Sequence, residues 1–180
     1  MNKLEPLTEH DFEAVASWMS DPIDHEKICG NAFAYPLSKE QYLTFFVDGA
    51  SPSKGRLCFK YVVDGKPIGM ASFTKIDRKN DHGQIAFVAT APSLRSTGLG
   101  SVMLTELLAL GFDELLFNRI DLVVIESNKK AYQFYTQKMG FKDEGLIRDV
   151  IKVGNAYLSW HPLSMLKDEW NKMVTKDYSR

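Results

Sequence analysis

Apolar and polar positions alternate along this chain in short runs, and segments of helical period separate them. Residues 3–7 predict an edge strand. Behind Thr8, which with Asp11 is placed as a capping box, Phe12, Val15, Ala16 and Met19 recur at helical spacing and predict a helix to about Met19. Residues 21–36, broken by Pro22, Gly30, Asn31 and Pro36, predict an irregular loop. Ser38 opens a second helix with Gln41 as capping partner and Tyr42, Phe45 and Phe46 as its packed face. Residues 56–63 and 66–76 flank Asp64-Gly65 and predict a β-hairpin, followed by a polar turn over 77–83. Residues 85–90 read as a strand closed by Ala91-Pro92, and Leu99, Val102, Met103, Leu107 and Leu110 as the packed face of a helix. Residues 119–126 contain Ile-Asp-Leu-Val-Val-Ile, a buried-strand pattern. Asn128 is placed to cap a helix over 129–139 that Gly140 closes. A turn over 141–145 leads to two β segments, about 146–153 and 157–165, joined by Gly154-Asn155. Residues 167–180 read as a polar tail anchored by Trp170 and Met173, with a disordered end. Strands in sequence with helices before and after predict a mixed α/β sheet, not a doubly wound one.

Length and composition narrow the picture. At 180 residues the chain fits one domain, 1–180, that buries roughly 70% of its unfolded surface. A net charge of −1 supplies no basic field for a nucleic-acid backbone, so nucleic acid is not an expected partner. Cys29 and Cys58 are far apart and His10, His25, His82 and His161 are scattered, so no metal site is expected and a reduced, cytoplasmic protein is. The N-terminus carries no apolar signal core, and no apolar run approaches the roughly 18 residues of a membrane span, so no membrane partner is expected.

The chemistry-bearing stretch is 83–112, a strand, turn and helix in succession. Its turn, Arg95-Ser96-Thr97-Gly98-Leu99-Gly100, leaves the first N–H groups of the helix without intrahelical partners, and such groups hold anions. Gly98 and Gly100 admit a bulky diphosphate, Ser96, Thr97 and Ser101 add hydroxyls, and Arg95 adds a charged fork. The alternative is a tight turn with an ordinary helix start. A nucleotide site of another class is disfavoured, because the turn lacks the Lys-Ser/Thr of a P-loop and the third glycine of the dinucleotide fingerprint. Phe33 and Tyr35 line a substrate pocket or simply pack beneath their loop.

The ordered set of a strand ending in Pro, R-x-x-G-x-G at 95–100, Asn128-Lys129-Lys130-Ala131-Tyr132-Gln133-Phe134-Tyr135 and Gly140-Phe141 resembles the GNAT superfamily of acetyl-coenzyme A-dependent N-acetyltransferases. The ending, from Glu144 to Trp170, is similar to the branch that includes ribosomal-protein alanine acetyltransferases. The resemblance implies a mostly antiparallel α/β (α+β) sheet splayed between two central parallel strands, with helices on both faces. It also implies an acceptor side at about 8–50, an acetyl-CoA core at about 83–141 and a C-terminal hairpin at about 145–166.

The resemblance assigns roles too. The turn from Arg95 through Ser101, Leu99 included, would bind the coenzyme A pyrophosphate, and the main chain of Val88, Ala89 and Thr90 the pantetheine and thioester carbonyl. Asn128 would contact the pantetheine arm with Ala131 packed beside it, and Tyr135 would be the general acid for the leaving thiolate. Read without the resemblance, Tyr135 is a packed helix residue and Asn128 an N-cap. The implied reaction is acetyl transfer from acetyl-CoA to a primary amine, in a small molecule or a peptide, by direct attack in a ternary complex without a metal. The chain would act as a monomer or homodimer. A catalytically inactive CoA-binding sensor or scaffold is the alternative. Many relatives carry a carboxylate where this chain has Gln84, which leaves Asp77, Asp81 or His82 as candidate bases. A lysine-like amine is only about one part in 2,500 neutral at pH 7, a deficit of roughly 4.6 kcal/mol for a base or a desolvating pocket to offset. Asp21, Asp24 and Glu26 suggest a cationic acceptor, or only a solvated face.

Overall fold

The computed structural model describes residues 3–177. The chain divides into two compact units, one formed by Met1–Ile76 with Ile85–Leu107 and the other by Asp77–Gln84 with Leu108–Arg180.

In the first unit β1 (Lys3–Pro6) runs antiparallel to β2 (Leu57–Val63), which pairs antiparallel with β3 (Lys66–Asp77). The hairpin between β2 and β3 turns on Asp64 and Gly65 at φ 49° and 76°, the doubly positive pair that suits the twist of flanking strands. The next strand, β4 (His82–Thr90), neighbours β3 and begins earlier than predicted, taking in the end of the expected polar turn. Helix α1 (Phe12–Trp18) starts where the Thr8 N–H and hydroxyl donate to Asp11 Oδ2 at 2.8 and 2.7 Å.

The expected irregular loop contains a helix, α2 (Pro22–Cys29). Asp21 Oδ1 accepts from the Ile23 and Asp24 N–H groups at 2.8 and 3.2 Å, and Pro22 occupies the first turn, where a missing N–H costs nothing. Asp-Pro read as a breaker was therefore a helix start, and Gly30 at φ 56° ends it. Helix α3 (Lys39–Tyr42), capped by Ser38 and Gln41, continues into a π-helical turn over Leu43–Val47. Its Tyr42 and Phe46 join Val15, Trp18, Met19, Cys58 and Met70 in the core. Helix α4 (Leu99–Ala109) buries Met103, Leu104, Leu107 and Leu108, whereas Val102, assigned to its packed face, is 45% exposed.

In the second unit His82–Gln84 of β4 lie parallel to Arg119–Asp121 of β5 (Arg119–Ile125). Strand β5 pairs antiparallel with β8 (Ala156–Leu166), from Arg119 opposite Leu166 to Ile125 opposite Trp160. The predicted turn after Gly140 holds a two-residue strand, β6 (Lys142–Asp143), which with β7 (Ile147–Val153) also pairs with β8. Within each unit the strand pairs are antiparallel except for β4 with β5, the mixed, mostly antiparallel arrangement that the resemblance implies. Helix α5 (Lys129–Gln133) continues into a π-helical turn over Phe134–Lys138.

The polar tail is largely a helix, α6 (Lys167–Asp177), and the end of it, 178–180, lies outside the described residues. Trp170 is 3% exposed, stacks on Phe112 at 5.9 Å and donates its indole N–H to Asp113 at 3.2 Å. Glu169 accepts from the Leu166 N–H at 3.0 Å. The anchor was legible in the sequence. The helix was not, because its apolar positions are few.

Candidate functional site

In the first unit the end of β4 leads through a tight turn into α4. Phe87 sits in mid-strand at φ 55°, a left-handed conformation that costs a bulky residue roughly 1–3 kcal/mol. Its ring packs on Phe45 at 5.0 Å, Phe46 at 5.2 Å and Phe33 at 5.5 Å, contacts worth about 0.5–1.5 kcal/mol each, which offset that cost. Phe33 is thus a packing residue, and Tyr35 donates its hydroxyl to the Ser20 carbonyl at 2.6 Å. After Phe87 come Val88, Ala89 and Thr90, of which Ala89 is 5% exposed and its neighbours half-buried. A Cβ at Gly69 of β3 would stand 2.8 Å from the Ala89 carbonyl oxygen, so only glycine admits this approach.

The turn itself uses left-handed backbone at Ser96, φ 65°, and Gly98, φ 94°. The Gly98 carbonyl accepts from the Ser101 and Val102 N–H groups at 2.9 and 3.3 Å, which begins the helix. The N–H groups that open α4, at Leu99 and Gly100, precede any intrahelical acceptor. A Cβ on Gly100 would meet nothing nearer than Thr90 Cγ2 at 3.8 Å, so packing within the protein does not demand glycine there. The Ser101 hydroxyl oxygen is buried and has no hydrogen-bond partner among the described residues. A buried hydroxyl without a partner beside free helix-start donors fits an anionic ligand.

Arg95 is engaged differently from the simple charged fork. Its guanidinium donates to Asp24 Oδ2 at 2.6 Å and to the Trp18 carbonyl at 3.2 Å, joining the turn to the end of α1 and the first turn of α2. Thr97 donates its hydroxyl to the Leu94 carbonyl at 2.7 Å. Of the acidic residues suggested for a cationic acceptor, Asp21 caps α2 and Asp24 holds Arg95.

In the second unit Asn128, Ala131 and Tyr135 follow one another along α5 and its π-helical turn. Asn128 is an N-cap, its Oδ1 accepting from the Ala131 N–H at 3.2 Å. Tyr135 is 8% exposed, lies edge-on to Phe134 and Phe141 at 5.2 and 5.8 Å, and makes no side-chain hydrogen bond among the described residues. Burial raises its phenol above the ordinary tyrosine value, so the hydroxyl stays protonated and available to donate.

Strand register brings together residues that lie apart in sequence. Gln84 donates its amide N–H to Asp121 Oδ1 at 3.2 Å, and His82 Nε2 lies 2.9 Å from Asp121 Oδ2. Arg119 stands 3.5 Å from the same carboxylate and 3.0 Å from Glu144, which accepts from the Ser164 hydroxyl at 2.5 Å. Of the candidate bases, Asp77 is occupied by Asn80 and the Lys79 N–H, whose hydrogen bonds lower its pKa. Asp121 was overlooked, although an aspartate inside an apolar strand run was a visible signal.

A second cluster was overlooked as well. Asp143 accepts from the Gly145 N–H at 2.9 Å and from the Tyr132 hydroxyl at 2.8 Å, and pairs with His161 Nδ1 at 3.0 Å. Desolvation opposes ionisation of this carboxyl, but those partners outweigh it and lower its pKa. Tyr132 and His161 line a groove of about 340 Å³ with Glu126, Lys129, Gln133 and Gln137. Among the described residues no group of three His, Cys, Asp or Glu could hold a metal, and no helix is long and apolar enough to cross a membrane.

Residues 15–141 match the family model described as the acetyltransferase (GNAT) family. The chain is 28% identical over 107 residues to the "Putative ribosomal N-acetyltransferase YdaF" of Bacillus subtilis (strain 168), a match covering 59% of this chain and 57% of that protein's length. Among solved structures it is similar to a spermidine N-acetyltransferase from Vibrio cholerae in complex with CoA and spermine. That likeness has a TM-score of 0.80 at 17% identity and covers 94% of this chain and 98% of the other, which establishes the fold.

Proposed function

The chain belongs to the acetyltransferase (GNAT) family, and from that premise we propose that it transfers an acetyl group from acetyl-CoA to a primary amine by direct attack in a ternary complex. The observation that carries this reading is the start of α4, where the Ser101 hydroxyl is buried without a partner and Gly98 and Gly100 leave the backbone open. A diphosphate satisfies those donors, and the positive end of the helix favours its charge. Arg95, held by Asp24, serves the turn by tying it to α1 and α2.

In the reaction the amine nitrogen attacks the thioester carbonyl carbon while the main chain of Val88, Ala89 and Thr90 receives the carbonyl. The carbon–sulfur bond breaks and sulfur leaves with the electron pair. Tyr135, whose hydroxyl is unengaged and whose burial keeps it protonated, donates its proton to that sulfur. Asn128 and Ala131 adjoin the pantetheine arm. The amine must also lose a proton, and Gln84 cannot accept one. The His82–Asp121 pair beside it supplies the proton-accepting groups at that end of β4. No residue forms a covalent intermediate in this scheme.

Support for the acceptor class comes from the spermidine N-acetyltransferase likeness and from the curated relative, whose names indicate different amines. In this reading the acceptor is a primary amine. Cys29 and Cys58 are free and buried, which supports a reducing, cytoplasmic setting. Calorimetry with acetyl-CoA, ATP and NAD tests the cosubstrate, and a dinucleotide bound in preference to acetyl-CoA overturns the reading. A coenzyme A-release screen over polyamines, amino acids, amino sugars and peptide N-termini tests the reaction. Binding without release across every amine class would identify a CoA sensor instead.

A further inference from the structure

We propose that Phe87 is a positioning residue for acetyl transfer: its ring, clamped by Phe33, Phe45 and Phe46, holds the backbone of Val88, Ala89 and Thr90 in the conformation that receives the thioester carbonyl. This rests on the acetyl-transfer reading and adds to it a group that never touches the substrate. All six pairs among the four rings are in contact, with centroids 4.9 to 5.5 Å apart. The cluster is braced from outside by the Arg56 guanidinium, which lies 3.4 Å over the Phe45 ring and donates to the Phe45 carbonyl at 3.1 Å.

A phenylalanine left to itself in a strand adopts extended backbone, because left-handed φ brings Cβ against the peptide. Phe87 stands at φ 55°, and the three rings around it are what its own ring gains there. A left-handed residue in a strand turns the following peptide planes out of the regular pleat, as in a bulge. Downstream the strand is fixed again, since Ala91 donates to the Ile68 carbonyl at 2.8 Å and the Ala89 oxygen lies against Gly69. Val88 to Thr90 are thus held between two anchors, one of them made only of side chains.

The test reads the carbonyl directly and needs no acceptor. Infrared spectra of acetyl-CoA labelled with carbon-13 at the carbonyl are recorded free and bound to the wild-type protein, Phe87→Gly and Phe33→Leu. Glycine accepts φ 55° but does not enforce it. On binding to wild type the band is expected to move to lower frequency. In Phe87→Gly it returns toward the free position while acetyl-CoA Kd stays within about threefold, and Phe33→Leu lies between. With an accepted amine in hand, kcat falls by about 100-fold in Phe87→Gly, the scale of a small misplacement at the reacting centre. A bound band that is the same in wild type and both variants overturns the proposal, and so does parallel loss of affinity and band shift. If Phe87→Gly does not fold, Phe33→Leu decides by the same two readings. Failure of wild type to bind acetyl-CoA would instead remove the acetyl-transfer reading itself.

Discussion

The helix starts of α4 and α5 carry the two halves of the resemblance, and the protein treats them in opposite ways. At α5 the chain satisfies itself, since Asn128 accepts from Ala131 and closes the first turn. At α4 neither the Thr97 nor the Ser101 hydroxyl closes the turn. Thr97 donates backward to the Leu94 carbonyl, and Ser101 is left without a partner. A helix start that closes its own first turn adds to folding stability, whereas one left with donors to spare has groups to offer a ligand.

Substitutions can break or sharpen this contrast. The largest effect is expected beyond the α5 cap, at Tyr135→Phe, which removes the proposed proton donor but keeps the ring. It should lower kcat by about 100-fold or more with acetyl-CoA affinity nearly unchanged, measured by steady-state kinetics and calorimetry. Equal turnover would leave Tyr135 as packing alone. Next comes Gly100→Ala, whose Cβ would make only ordinary contact with Thr90 Cγ2 at 3.8 Å, so the melting temperature should move little while acetyl-CoA binding weakens by about tenfold. Ser101→Ala and Asn128→Ala then make a matched pair. The first removes a buried hydroxyl that has no partner, so stability should hold while affinity falls several-fold, by about 1 kcal/mol. The second removes a cap and should cost about 1 kcal/mol of folding stability. Denaturant titration alongside calorimetry separates them, and a stability loss at Ser101 equal to that at Asn128 would erase the contrast.

The smallest effect is a pH effect that belongs to the first unit in the window just above about pH 9, before tyrosines begin to titrate. Burial raises the Cys29 thiol to about 12 and the Cys58 thiol to about 11, and both belong to the first unit. Their folded values exceed the unfolded ones, so the stabilisation is complete below about pH 9 and is lost as pH rises above it, when only the unfolded thiols ionise. The slope should be about 1.4 kcal/mol per pH unit for each thiol, seen as a falling denaturation midpoint. It should flatten when both cysteines are replaced by alanine.

Much of this was legible because it is local. The Asp64-Gly65 hairpin, the Ser38–Gln41 cap, the Asn128 cap and the glycine turn before α4 depend on residues a few positions apart, and such contacts are made by neighbours in the chain. The helix at α2 was missed because Asp-Pro signals both a break and a start, and only the helical residues after it distinguish the two. The helix at α6 was missed because a single large anchor, Trp170, carries its packing.

Sequence by itself determined the family, most of the strands and helices in their order, and the stretches that hold the candidate site. Tertiary structure decided what several of those residues do. It set Asp24 against Arg95, so that this carboxylate already pairs with a cation of the chain itself. Through strand register it put Asp121 beside Gln84 and His82, and Asp143 beside His161. It gathered Phe33, Phe45 and Phe46 around a strained Phe87. The reason is range: a cap or a turn is written within a few residues, but a carboxylate's partner or a ring's neighbours are chosen by strands and helices that meet only after the chain has folded.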